Sequence, residues 1–183
     1  MKLTETPLSG LWEIQTSPRG DERGRFTRLF CAEEFAPVRP NMRFVQVNHS
    51  MTAKRGTVRG LHYQHAPAAE AKLIRCIRGT VFDVAVDVRE SSPTFGKWHA
   101  VELSQDNERQ VFIPEGFAHG FQALTDNVEL LYQHTVPFAP TCERGVLYRD
   151  PFIGIEWPLF VTILSERDAN LPLLNSTVAG CAA

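Results

Sequence analysis

The chain has 183 residues, 43% hydrophobic and 22% charged, with a formal net charge of -2, the make-up of one globular domain spanning residues 1–183. Its 19 Lys and Arg residues are scattered rather than clustered, so neither a nucleic acid nor a membrane is an expected partner. No apolar run reaches the roughly 18–20 residues that span a bilayer, and residues 1–13 carry no apolar signal segment, so a cytoplasmic location is expected.

In chain order, a short helix is predicted around residues 32–35 and a strand at 44–48. The run 72–78 ends at Gly79, which reads as a hairpin turn into a strand at 80–88. That strand has the clearest pattern: Phe82, Val84, Val86 and Val88 share one face, and Asp83, Ala85 and Asp87 share the other. Further strands are predicted at 98–103, 110–113, 121–123 and 128–136, with Pro93, Gly96, Pro114 and Gly116 breaking the chain between them. A loose helical turn follows near 165–169, and the tail after about residue 174 is expected to be only partly ordered. Cys31, Cys76, Cys142 and Cys181 form no C-x-x-C pair and read as buried or incidental thiols of a reducing compartment.

Many short strands separated by turn residues predict a mainly β, antiparallel sandwich or barrel with a few short peripheral helices. Such a fold opens a polar-lined cavity at one end. Parity places Lys72, Ile74, Cys76 and Arg78 on one face, and leaves open whether that face or the Leu73 face points inward. An inward Lys requires an anion or developing negative charge to meet it.

Pro114-x-Gly116-x-x-His119 resembles the second motif of the cupin superfamily, whose His ligates a metal. The nearest match to the first motif is His62, His65 and Glu70, but residues three apart on a strand point to opposite faces, so no metal site is expected. A metal-dependent cupin enzyme of the dioxygenase kind stays as one alternative, and a catalytically inactive sugar-nucleotide binding module as another.

A closer resemblance is carried by Asp21-Glu22-Arg23-Gly24-Arg25-Phe26, Arg59-Gly60-Leu61-His62-Tyr63-Gln64, Lys72-Leu73 and Asp83-Val84-Ala85-Val86-Asp87-Val88-Arg89. It continues through Ser92-Pro93-Thr94-Phe95-Gly96, Ile113-Pro114-Glu115-Gly116-Phe117-Ala118-His119-Gly120-Phe121, Asp150-Pro151, Ile155-x-Trp157-Pro158 and Leu164-Ser165-x-x-Asp168. In register from about residue 7 to 174, these segments resemble the dTDP-4-dehydrorhamnose 3,5-epimerase family. The resemblance implies a cupin-type jelly-roll barrel, a homodimer, and epimerisation at C3, C5 or both of a nucleotide-linked 4-keto-6-deoxy sugar. It implies His62 as base, Asp168 as the carboxylate that orients it, Lys72 beside the C4 oxygen and Tyr132 as acid on the opposite face. None of these roles asks for a metal, a nicotinamide or a flavin. The same resemblance assigns Arg23 and Arg59 to the diphosphate, Gln46 and Asn48 to the nucleoside, and His119, Glu143 and Arg167 to the sugar or nucleotide pocket.

The chain departs from the family pattern chiefly at the nucleotide end. Arg28 stands where the family commonly has an acid, Val47 where it has Asp, Phe138 where it has a stacking Tyr, and Arg167 where it usually has Lys. Phe138 can still stack, whereas Arg28 replaces an acceptor with a five-donor cation. Two readings follow: the carrier is CDP, GDP or UDP in place of dTDP, or Arg28 turns outward and the pocket still takes thymidine.

Overall fold

Residues 1–174 are described by a computed structural model; Cys181 and the tail expected to be partly ordered lie outside the described residues. In chain order the strands are β1 (Lys2–Glu5), β2 (Trp12–Gln15), β3 (Arg19–Asp21), β4 (Gly24–Phe26), β5 (Gln46–Thr52), β6 (Val58–Gln64) and β7 (Lys72–Arg78). They continue with β8 (Thr80–Asp87), β9 (Trp98–Ser104), β10 (Arg109–Ile113), β11 (Phe117–Ala123), β12 (Val128–His134) and β13 (Glu143–Gly145). A 3-10 turn spans Pro140–Cys142 and a short α-helix, α1, spans Glu166–Ala169. The Ser165 side chain caps α1 by accepting from the Asp168 N–H. The helix predicted at 32–35 is a series of turns instead, which seats the buried Phe35 ring beneath the six-stranded sheet.

That sheet runs β1-β2-β10-β7-β12-β5 and faces a five-stranded sheet, β13-β6-β11-β8-β9, while β3 and β4 pair as a separate hairpin. The architecture is a jelly roll of two facing antiparallel sheets, rather than a barrel closed by one continuous ladder. The predicted hairpin at Gly79 is corrected: β7 and β8 belong to different sheets, and the chain turns between them at this glycine, whose φ is 71°. A Cβ there would lie 2.5 Å from the Thr125 hydroxyl oxygen, so the corner requires Gly.

Three apolar clusters hold this arrangement. Ile74, Val81, Leu103, Ile113, Phe121 and Leu130 pack between the sheets. Leu73, Ile14 and Phe112 point the other way and are covered by Phe35 and Met42, which settles the parity of β7: Leu73 faces out and Lys72 faces the interior. The apolar face of β8 is also an outer face, since Val84 and Val86 pack under the C-terminal segment with Val146, Ile153 and Leu174. Its polar face looks toward the opposite sheet, and each acid on it has a dedicated partner. The fully buried Asp87 accepts from the Arg89 guanidinium and from the hydroxyls of Ser92 and Thr94. The Ser92–Gly96 stretch is therefore a clamp on the end of β8.

Candidate active site

A cavity of ≈ 570 Å³ opens between the sheets, lined by Lys72, Tyr132, His134 and Asn48 on one side and by Arg59, His62 and His119 on the other, with Arg167 and Asp168 of α1 at its rim. An adjoining compartment of ≈ 380 Å³ is lined by Gln46, Gln64, Glu70, Phe138 and Glu143, and shares Asn48, His62, Lys72 and His134 with the first. The two make one cleft with a waist.

Strand register explains the membership. Asn48 pairs with Tyr132, and Tyr132 with Ile74; Gln46 pairs with His134, and His134 with Lys72. Because side chains alternate, these two rows present the same face. On β6 the ladder to β11 is irregular: His62 opposes His119 and Arg59 opposes Phe121, so three steps on β6 match two on β11. That bulge lets Arg59 and His62, which strict alternation would send to opposite faces, line one cavity. Gly60 makes it feasible, with φ 119° and an absent Cβ that would stand 2.6 Å from Gly120 Cα.

His62 Nε2 lies 3.0 Å from Asp168 Oδ1, and the other Asp168 oxygen accepts the Gly60 N–H at 3.0 Å. Burial works to raise the Asp168 carboxyl, but the His62 and Gly60 hydrogen bonds outweigh it and hold the group below the usual carboxylate range. An ionised Asp168 selects the tautomer with the proton on Nε2, which leaves the His62 Nδ1 lone pair free; that atom has no partner among the described residues. Tyr132 projects from the opposite sheet, with the His119 ring edge-on at 5.9 Å. Burial pushes the Tyr132 phenol well up, and nearby Asp83 adds to the shift. The phenol therefore carries its proton at neutral pH. His119 is itself tied to Asp83 at 2.9 Å.

Lys72 is buried, with Nζ 3.1 Å from Glu70 Oε1 and donating to the His62 carbonyl oxygen at 3.4 Å. Glu70 also accepts from His134 Nδ1 at 2.7 Å. Burial would raise the Glu70 carboxyl, yet His134 and Lys72 together keep it lowered. Arg59 is anchored on β5 through the Thr52 hydroxyl at 3.0 Å and the Met51 carbonyl at 3.2 Å. Across the mouth, Arg167 pairs with Glu143 at 2.7 Å. In the outer compartment the Gln46 side-chain oxygen accepts the Phe138 N–H at 2.9 Å, leaving the Phe138 ring half exposed.

Two predicted site residues lie elsewhere. Arg23, on the exposed β3–β4 turn, pairs with Asp21, and Arg28 pairs with Glu34 beside a separate pocket of ≈ 210 Å³. His65 opens on a third cavity with Ala66, Ala69 and Arg144, so His62, His65 and Glu70 do not converge. Sequence reasoning passed over His134 and the partnership of Asp83 with His119. The alternation signal was present for both, since His134 stands two residues from Tyr132 and Asp83 lies on the polar face of β8.

The family model described as dTDP-4-dehydrorhamnose 3,5-epimerase matches residues 5–176. This chain belongs to that epimerase family. A dTDP-4-dehydrorhamnose 3,5-epimerase of Shigella flexneri is 47% identical over 171 residues, covering 93% of this chain and 94% of the relative. A dTDP-4-dehydrorhamnose 3-epimerase of Streptomyces niveus is 40% identical over 176 residues, covering 95% and 84%. Among solved structures, a dTDP-6-deoxy-D-glucose-3,5-epimerase of Legionella pneumophila Philadelphia 1 in complex with dTDP-4-keto-L-rhamnose superposes with a TM-score of 0.90 at 41% identity, covering 95% of this chain and 93% of that one. Membership in the epimerase family makes the chain an isomerase acting on a sugar nucleotide.

Proposed function

We propose that this epimerase inverts C3 and C5 of a dTDP-linked 4-keto-6-deoxy sugar, with His62 as base, Lys72 at the C4 oxygen and Tyr132 as acid. The observation that carries the reading is the opposition of His62–Asp168 on one wall to Tyr132 on the other, with Lys72 beside them. The C4 carbonyl acidifies the protons on C3 and C5. The His62 imidazole takes one, and the C–H electron pair moves toward the C4 oxygen as an enolate. The Lys72 ammonium offsets that charge, in a buried setting where such an interaction is strong. Asp168 stabilises the imidazolium formed. Tyr132 then delivers its proton to the opposite face of the same carbon, inverting it; exchange with water resets both groups. Reorientation of the half-reacted sugar presents the second carbon to the same pair.

For the nucleoside, Gln46 and Asn48 supply donors and acceptors and Phe138 a face for stacking. Arg59 and Arg167 suit the diphosphate, and His119 and Glu143 border the sugar. Thymidine is favoured as the base by similarity to epimerases whose sugars are dTDP-linked. β5 is an edge strand with Val47 and Met51 exposed, a liability that pairing with a second copy removes. Arg23 and Arg28, remote from their own cleft, meet a substrate only across such a homodimer interface. The free thiols Cys31, Cys76 and Cys142 suit the reducing cytoplasm.

Incubating the protein with dTDP-4-keto-6-deoxyglucose in D₂O and following C3 and C5 by NMR tests the reaction. Deuterium at both carbons is expected, and lost in His62→Ala while dTDP binding persists. Exchange at neither carbon would overturn the reading; C3 alone would assign the 3-epimerase reaction. Calorimetry with dTDP, CDP, GDP and UDP should show clear preference for dTDP.

A further inference from the structure

We propose that Glu70, steadied by His134, is a positioning residue for this reaction: it holds the Lys72 ammonium at the waist of the cleft with one N–H left for the C4 oxygen. The inference rests on the epimerase reading above and concerns residues outside its base, acid and oxyanion groups. Glu70 precedes β7 by two residues and shares the inward parity of Lys72, and its carboxylate is almost wholly buried. A buried ammonium requires a counter-charge held by further hydrogen bonds. Glu70 meets this need with a divided carboxylate, Oε1 to Lys72 at 3.1 Å and Oε2 to His134 Nδ1 at 2.7 Å.

The division has two consequences. Lys72 has three N–H donors; Glu70 takes one and the His62 carbonyl a second, so the third is available to the cavity that Lys72 lines. His134 also occupies the second Glu70 oxygen, which keeps the carboxylate from chelating the ammonium and drawing it back from the cavity. His134 is fixed in its turn. The Gln46 amide donates to Asn48 Oδ1 at 3.3 Å, and the Asn48 amide donates to His134 Nε2 at 3.3 Å. With Nε2 accepting, the His134 proton sits on Nδ1 and points at Glu70. A polarised run of hydrogen bonds thus leads from the nucleoside compartment to the lysine.

The test measures kcat, KM and deuterium wash-in for the wild type, Glu70→Gln, His134→Ala and each combined with Lys72→Ala. Glu70→Gln keeps the shape and removes the charge; kcat should fall about tenfold, the worth of one charged hydrogen bond, with KM within about twofold. His134→Ala leaves the carboxylate in place and should lower kcat about threefold. Because both act through Lys72, neither should slow wash-in further when Lys72 is already Ala. Full kcat in Glu70→Gln, or an equal loss with and without Lys72, overturns the inference alone. A wild type that shows no exchange overturns the epimerase reading, and this inference with it.

Discussion

Replacing Tyr132 by Phe should separate two events that the wild type performs together. His62 can still remove a proton and return one to the same face, so deuterium wash-in should persist within about tenfold. Inversion should fall by about 10²–10³, the usual worth of a positioned general acid. Chirality of the recovered sugar, set beside its deuterium content, checks this. The raised Tyr132 phenol supports it, since burial leaves a proton ready at neutral pH. Of this chemistry, His62 is legible in a dense polar and Gly context, whereas the roles of Lys72, Tyr132 and Asp168 came from the family resemblance. What no pattern shows is that the Asp168 carboxylate lands 3.0 Å from His62 across 106 residues of chain. A pairing of that kind depends on where a C-terminal turn docks.

At the scale of elements, the bulge in β6 and the clamp on β8 carry distinct costs. Gly60→Ala would place a Cβ 2.7 Å from the His119 carbonyl oxygen at a φ that L residues rarely adopt. The expected loss is about 2–3 kcal/mol of stability, seen as a lower Tm, together with slower wash-in because Gly60 also holds Asp168. The β8 clamp makes a prediction about acid. Asp87 is held below its ordinary value of 3.8 because hydrogen bonds from Arg89, Ser92 and Thr94 outweigh the cost of burial. A carboxyl depressed in the folded state stabilises the fold above its unfolded pKa and loses that contribution as pH falls through the folded value. Tm should therefore drop as pH goes from about 5 toward 3, with Asp168 and Glu70 acting in the same sense. In Asp87→Asn the fold should be weaker near pH 7 by about 3 kcal/mol and the acid slope shallower. Calorimetric melts at several pH values give both quantities. The strand itself was legible from alternation, but its apolar face turned out to be the outer one. Alternation distinguishes two faces and does not say which of them meets the other sheet.

For the whole molecule, the exposed β5 edge is the feature with the largest consequence. Val47 is 60% exposed there, beside Asn48, whose side chain lines the cleft. Met51, 59% exposed on the same strand, gives the test: Met51→Glu should convert the proposed homodimer to monomer in sedimentation, since like charges would face each other along the pairing strand. Activity should fall with it, because the proposed homodimer is what would bring Arg23 and Arg28 to the partner's cleft.

The sequence by itself determined the class of fold, the positions of five strands within two residues of their observed bounds with β5 and β11 displaced by up to four, and the residue types from which base, acid and cation are drawn. These are local properties: side-chain period, turn chemistry and titratable groups are written in neighbouring residues. Only the tertiary structure decided that Gly79 is a corner between sheets rather than a hairpin, that Lys72 faces inward under Glu70, and that Arg23 and Arg28 stand apart from the cleft of their own chain. The physical reason is common to all three. Each depends on which of two equivalent faces or partners a strand selects, and that choice is made by packing between segments far apart in the chain.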